Sequence, residues 1–418
     1  MWNKLHLVYV LLMVFTSVNP AYSQDEKVLK LEQAIELSLN FHPGVQAYQE
    51  LIKGHDALVE QSKLLPNPEL EIETENLGFI ETELTVHQLI ELGGKRAARI
   101  NIAQQEKDLS IIDLKIKKLE IIADVTTRFL DVQESQQKIK LIDDALSLAE
   151  NILSSVKKRV NAGATLAVEE TRAQVALTLT QIQRNKLLLD HEAKKKALAL
   201  LWGERGNDVE LVAEELNIES TLPDYEILFS ALSKSPEFIS QAARVNMRLL
   251  ELQAERAGGV PDITVAGGYL RNSELNENAA IVNISIPLQF FNRNQGNIAF
   301  SQANIKVSNL EKQAAMAGVE TELNELYFQL QAFHREIIII NEEAMPRAVN
   351  AFEEIEKLFA RGKMSFFGLL DSRQSLIDMQ NSLIEAQIAF LKTKAELEKL
   401  IGISFNQLMM NGAEKNEP

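Results

Sequence analysis

Four glutamates stand at alternate positions, Glu69, Glu71, Glu73 and Glu75, with Leu70, Ile72 and Thr74 between them. In an extended segment side chains alternate, so all four carboxylates share one face and the apolar residues take the other. A row of carboxylates attracts cations through its field. The other reactive residue types do not gather. Gly93-Gly94-Lys95 superficially matches a phosphate loop, but the G-x-x-x-x-G-K-[ST] spacing is missing. His42, His55, His87, His191 and His334 form no ligand-spaced cluster, and the methionines are scattered as core fillers. Zero cysteine removes disulfides, thiolate metal sites and lipid attachment through an N-terminal Cys. No Ser/His/Asp set and no carboxylate pair in a defined pocket can be named. The expectation is a protein that is not an enzyme and uses no cofactor or resident metal.

The elements that carry these residues are mostly helical by composition. The 418 residues hold 18 Gly and 10 Pro, where average usage would give roughly 29 and 21. A net charge of −16 argues against nucleic-acid binding, which needs a basic footprint. Lys4, the apolar stretch Leu5 to Phe15 and the small residues of Ala21-Tyr22-Ser23 read as a signal peptide over residues 1–23, cleaved before Gln24. Its apolar core, about 11 residues, is short for a bilayer-spanning anchor. The mature chain has no run of 18 apolar residues, so no transmembrane helix is expected.

Neither Gly nor Pro occurs from Lys95 to Ala162, a run of 68 residues. A continuous helix there would be roughly 100 Å long. Apolar residues recur by threes and fours at Leu109, Ile112, Ile116, Leu119, Ala123, Thr126 and Leu130, again from Leu323 to Ile340, and again from Leu376 to Leu400. That spacing is a coiled-coil seam. A second stripe, Ile111, Leu114, Ile121, Val125 and Val132, gives the first helix more than one neighbour.

The chain also repeats itself. Residues 34–43 (AIELSLNFHP) resemble 227–236 (ILFSALSKSP), Pro68 and Pro261 share that offset, and Gly163 and Gly362 each separate two helical segments. Two halves follow, 24–223 and 224–418, each reading helix, β-hairpin, long helix, turn, helix. Their strands fall at about 68–91 and about 261–288, and their long helices at about 95–161 and about 294–360. Each strand is about nine residues, the length of a tilted membrane-spanning strand. Four strands cannot close a barrel, whereas three copies supply twelve and leave no open edge. Two solvent-exposed hairpins on a soluble helical protein are the alternative at this point.

These residues resemble the TolC family of outer-membrane efflux channels, most closely its heavy-metal branch, the CzcC- and CusC-like channels. The resemblance is carried by Asn67-Pro68-Glu69-Leu70, by residues 88–96 (QLIELGGKR), by Ile286-Pro287-Leu288 and 291–296 (FNRNQG), and by the turns Gly163-Ala164-Thr165 and Gly362-Lys363-Met364-Ser365. One departure is Leu89, where this branch usually has proline. The resemblance implies a mainly α fold with a small β part. It implies a homotrimer with a 12-stranded transmembrane β-barrel continued by a periplasmic α-helical barrel, in the outer membrane of a Gram-negative bacterium. A periplasmic adaptor (membrane fusion) protein and an inner-membrane resistance-nodulation-division (RND) pump would be its partners. The protein would be the passive exit duct for heavy-metal cations or other toxic small molecules. A type I secretion duct and a soluble periplasmic coiled-coil scaffold are the other two function classes.

With Leu70 and Ile72 facing lipid, Glu69, Glu71, Glu73 and Glu75 face the lumen. They either set cation selectivity or supply ordinary lumenal polarity. Gly93, Gly94 and Pro287 mark bends between strand and helix. Gly163, Thr165, Gly362 and Ser365 mark the two periplasmic tips, which in this family gate the duct and meet the adaptor. Family channels often place acidic residues six and nine positions after the second glycine; here those positions are Gly368 and Asp371. Asp371 is thus a candidate for a constriction ring with Arg361 as its partner, or a residue of a helix cap or solvated face.

Overall fold

A computed structural model of the chain describes residues 28–75, 80–203, 210–211, 216, 218 and 221–408. The signal peptide expected over 1–23 and the turn around Gly78 lie outside the described residues. The chain begins with β1 (Val28–Leu29), α1 (Leu31–Phe41) and α2 (Pro43–Ser62). A hairpin of β2 (Glu69–Glu75) and β3 (Glu81–Ile90) leads into α3 (Lys95–Asn161), α4 (Ala167–Ala199) and β4 (Glu210–Leu211). The same order then recurs: α5 (Tyr225–Leu232), α6 (Pro236–Gly258), β5 (Ile263–Asn272), β6 (Glu277–Ser285), α7 (Gln295–Ile339), α8 (Met345–Ala360) and α9 (Phe366–Ile401).

Local chemistry explains the repeated punctuation. At the start of α2 the His42 ring accepts the Gly44 N–H at 2.9 Å, and Pro43 occupies the first turn, where its missing N–H costs nothing. At the start of α6 the Ser235 hydroxyl accepts the Phe238 N–H at 3.2 Å, followed by Pro236. Both long helices follow a residue in the left-handed region, Gly94 before α3 and Asn294 before α7.

The helix α3 is the spine. It packs on α2 and α6 near the sheet and on α4 and α9 farther away, while α7 packs on α6 and α9, and α8 on α9. Its two stripes thus serve two sets of neighbours. Buried Ile121, Val125, Phe129 and Val132 meet Leu198 at the end of α4 and Trp202 just after it, together with Ala34 and Val45. On the other half Leu323, Leu330 and Ile337 of α7 close on Phe390, Leu397 and Ile401 of α9. A third cluster fills the far end: Ala149, Ile152, Leu153 and Val156 against Leu177, Phe359, Phe366 and Leu369. Ion pairs from α3 index α2, α9 and α4: Lys107–Asp56, Lys138–Glu385, Asp131–Lys392 and Asp143–Arg184, all between 2.5 and 2.7 Å. Such exposed pairs add little stability, but they disfavour other registers.

The second long helix departs from the expected unbroken 294–360. A π turn, Ile340–Ala344, separates α7 from α8, and Pro346 follows in the first turn of α8. Proline has no N–H to return to the preceding turn and its ring crowds the carbonyl there, so the α ladder cannot run through.

The four long strands form one antiparallel sheet in the order β2-β3-β5-β6. Among the described residues nothing pairs with the outer edges of β2 and β6. One margin of the molecule is therefore β2, α2 and α4, and the other is β6, α7 and α8. No described helix is long and apolar enough to cross a membrane.

Candidate functional site

The sheet separates its two faces by chemistry. Leu70 lies opposite Val86 and Ile72 opposite Leu84; Tyr269, Val282 and Ile284 continue the same face across β5 and β6. These residues are exposed in a single chain, Ile72 at 62 % and Val282 at 78 %. A continuous apolar face of this kind has to be covered by something other than water.

The opposite face is acidic in β2 and β3, whereas in β5 and β6 it carries Leu270, Ala279 and Ile281 beside Asn272 and Glu277. Glu69, Glu71, Glu73 and Glu75 stand across from His87, Thr85, Glu83 and Glu81 respectively. Glu81 and Glu83 therefore add two carboxylates that the run at 69–75 did not announce, although they alternate with Thr82 and Leu84 in the same manner. Glu73–Glu83 and Glu75–Glu81 are direct like-charge pairs, which destabilise a hairpin unless solvent or cations screen them. Nearer the helices a hydrogen-bonding ring stands among the carboxylates: His87 Nε2 lies 2.8 Å from Glu71 and 3.1 Å from Thr85 Oγ1. Among the described residues no group of three His, Cys, Asp or Glu has the geometry of a metal site.

The strand-to-helix junction is a built network. Glu91 pairs with Arg99 through both oxygens, at 2.6 and 3.1 Å, and the same guanidinium donates to the carbonyls of Ser62 and Leu64 at 3.1 Å. Beside it Lys95 meets Asp262 at 2.7 Å, and Asp262 accepts the Leu92 N–H at 2.9 Å. The ends of α2 and β3 and the starts of α3 and β5 are thus locked together. The Arg99 hydrogen bond holds the Glu91 carboxyl below its ordinary pKa and in turn raises that of Arg99. Burial acts upward on Asp262, but Lys95 and the Leu92 N–H outweigh it and leave its pKa lowered. Gly93 sits inside this network with φ +68°, and a Cβ there would stand 2.6 Å from Cβ of Val260. Gly94 opens α3. Pro287 lies in the link between β6 and α7, where Asn294 donates to Glu255 at 2.6 Å. Motif reading included Glu91, Gly93, Gly94 and Lys95, whereas Arg99 and Asp262 acquire meaning only from their partners.

Both tips share one turn. Gly163 N–H returns to Val160 O and Ala164 N–H to Arg159 O; Gly362 N–H returns to Phe359 O and Lys363 N–H to Leu358 O, all at 2.9 Å. This bond pair closes a helix on a left-handed glycine. Ser365 caps α9 by accepting the Gly368 N–H at 3.2 Å, whereas α4 starts at Leu166 without a side-chain cap and the preceding Thr165 donates to Glu169 at 2.5 Å. Arg361 and Asp371 are exposed and form no ion pair with each other in one chain. The residue that joins the tips is Arg159, which donates to Phe359 O at 3.2 Å with its guanidinium 4.9 Å from the Phe359 ring centre. Arg373, buried and held below its ordinary pKa by that burial, donates to Ala145 O and ties α9 to α3. Ser135 and His191 stand 2.7 Å apart between α3 and α4. Ser135 is 1 % exposed and also bonds Val132 O, so the pair is a helix tie.

Comparison with known proteins places this architecture. The family model for outer membrane efflux proteins matches residues 66–204 and 227–403. The chain is 27 % identical over 380 residues to the cobalt-zinc-cadmium resistance protein CzcC of Cupriavidus metallidurans, covering 90 % of this chain and 89 % of that one. It is 22 % identical over 323 residues to the nickel-cobalt-cadmium resistance protein NccC of Alcaligenes xylosoxydans xylosoxydans, covering 74 % and 72 %. Among solved structures CusC superposes with TM-score 0.75 at 16 % identity, over 90 % of this chain and 92 % of that one. The open-state MtrE outer membrane channel of Neisseria gonorrhoeae gives 0.74 at 15 %, over 89 % of each.

Proposed function

Because this chain belongs to the outer membrane efflux protein family, we propose that three copies close into one duct whose acidic inner face passes heavy-metal cations out of the cell. The observation that carries this reading is the division of the β2–β3 hairpin, with carboxylates of Glu69, Glu71, Glu73, Glu75, Glu81 and Glu83 on one face and apolar residues on the other, in a sheet whose edge strands β2 and β6 are unpaired among the described residues. An open apolar sheet is untenable in water or lipid, and closure through β2 and β6 satisfies both edges. The margins below the sheet suit the same closure. Val168, Val175, Ile182 and Leu189 make an exposed heptad-spaced stripe on α4, and Phe300, Val307 and Leu310 one on α7. The choice of metal follows from the resistance proteins to which the chain is similar.

The energy for export would come from an inner-membrane RND pump through a periplasmic adaptor. The tips Gly163–Thr165 and Arg361–Ser365 are the surface offered to that adaptor, with exposed Leu166 and Phe367 beside them. Asp371 and Arg361, unpaired within one chain, are free to meet across copies at the lower mouth. The lumenal carboxylates concentrate cations and repel anions.

The experiment is deletion of the gene followed by profiling against copper, silver, zinc, cobalt and cadmium. Lost tolerance to at least one, restored by the wild-type gene, is expected; unchanged tolerance to all five rejects the metal assignment. In planar bilayers the six Glu→Gln substitutions together should lower the cation/anion permeability ratio at least about threefold. An unchanged ratio would reduce the acidic face to plain lumenal polarity.

A further inference from the structure

The apolar alternation of β6 does not stop where its pairing stops. Val282 and Ile284 lie on the apolar face, and exposed Ile286, Leu288 and Phe290 continue the same alternate positions into the link to α7. Phe291 beside them is 91 % exposed. At the opposite margin exposed Leu64 and Leu65 stand between α2 and β2. Large apolar side chains thus border the helix end of the sheet on both sides, outside the hydrogen-bonded strands.

Charge at this end has one unmatched sign. Each of the four helices that meet the sheet carries a basic residue there: Lys63 just after α2, Arg96 in the first turn of α3, Arg256 in the last turn of α6 and Arg293 just before α7. The carboxylates of the same links and helix ends are already engaged, Glu60 by Lys63, Glu91 by Arg99, Asp262 by Lys95 and Glu255 by Asn294. Arg96, Arg256 and Arg293 are exposed, and none forms an ion pair among the described residues of one chain. The far end of the sheet has the reverse balance, with Glu73, Glu75, Glu81, Glu83 and Glu277 against Arg271. In a chain of net charge −16, three unmatched arginines at one level do not follow from composition.

Apolar side chains beside cations, at the end of an apolar sheet face, suit the level where acyl chains give way to headgroups. We propose that this collar seats on anionic phospholipid of the leaflet on the helix side of the membrane. Leu64, Leu288, Phe290 and Phe291 enter the acyl boundary, and Arg96, Arg256 and Arg293 hold the lipid phosphates. Charge selects this occupant. Water alone would leave the apolar residues uncovered. A second copy would have to bring carboxylates to three arginines, and the acids at this level are engaged within their own chain. The collar rests on the duct reading, in which the sheet spans the membrane, and adds to it the class of lipid that fixes its depth.

The test uses the full chain in phosphatidylcholine bilayers holding a trace of spin-labelled lipid. Electron spin resonance separates lipid held at the protein from bulk lipid, and so gives the preference for phosphatidylglycerol over phosphatidylcholine. The wild type should favour phosphatidylglycerol at least about threefold at low ionic strength. About 1 M salt, where the Debye length is about 3 Å, should remove most of that preference without any variant. Arg96→Gln, Arg256→Gln and Arg293→Gln together should bring the ratio to about one. Lys157→Gln, Arg172→Gln and Arg335→Gln, exposed and remote from the sheet, should leave it as in the wild type. A wild type without preference, or a preference that survives salt or the collar substitutions, overturns the proposal. So does a collar variant that cannot assemble in pure phosphatidylcholine, because its arginines would then serve contacts between copies. With no native cysteine, Phe291→Cys places one nitroxide per chain. Its relaxation should respond more to dissolved oxygen than to a water-soluble nickel complex, and the opposite response also rejects the collar. A chain that inserts and conducts without lipid preference loses the collar alone, whereas one that enters no bilayer loses the duct reading as well.

Discussion

At the residue scale, the most consequential side chains are those whose charge is matched. Glu91 and Asp262 are held below the ordinary carboxylate range by Arg99 and Lys95. A carboxyl with a depressed folded pKa contributes stability that is present above its unfolded pKa and lost as pH falls through the folded one. Thermal melting in detergent should therefore show a loss of stability that sets in below about pH 4. Glu91→Gln should melt lower at neutral pH, by the loss of about 1.5–3 kcal/mol from a charge-assisted bond, and its acid-side slope should be shallower. An identical acid-side slope would mean that Glu91 does not carry the effect. The sequence displayed half of this network. Glycines at a bend can be recognised by type, whereas Arg99 looks like any helix-surface arginine until Glu91 and the carbonyls of Ser62 and Leu64 surround it.

At the element scale, the two hairpins share one turn geometry and one buried cluster. The glycine turns close in the same way, but only the second returning helix has a side-chain cap, Ser365 on α9. Arg159 is the strap between them, through the carbonyl and ring of Phe359. Replacing Arg159 by Leu should cost about 1–2 kcal/mol and raise exchange of the amides of 359–365 about tenfold. Arg172→Leu, on the exposed face of α4, should leave them alone. If both variants behave alike, the strap does not exist. The helices themselves were plain in the spacing of apolar residues, because a 3-4 rhythm is local. The π turn was not, because Pro346 taken alone permits a kink, a break or an insertion, and the packing of α7 and α9 chooses among them.

At the scale of the whole molecule, the chain is an unfinished stave. Its sheet has two open edges, its outer face is apolar, and its helical margins carry exposed heptad stripes. Such a surface is stable only in an assembly that covers it and in a bilayer that solvates the apolar band. Neighbouring residues of one strand should then respond oppositely. Val282→Arg, on the apolar face, should cost about 2–4 kcal/mol of membrane stability and lower the yield of outer-membrane trimer. Asn283→Arg, facing the other way on β6, should assemble normally. Equal yields would mean that β6 does not meet lipid.

By itself the sequence determined the period of every long element, the duplication, the alternation of acid and apolar residues in β2, and the family. All of these depend on residue order over short distances, or on motifs such as 91–96 (ELGGKR). Only the tertiary structure decided which strands are neighbours. That order brought Glu81 and Glu83 opposite Glu75 and Glu73, and set His87 against Glu71. It also decided which side chains are buried, Phe359 of α8 beside Ile152 and Val156 of α3 among them, since burial is a property of the neighbours a residue meets. The physical reason is the same throughout: periodicity and turn chemistry are written locally, whereas pairing, burial and the matching of charges arise between residues far apart in the chain.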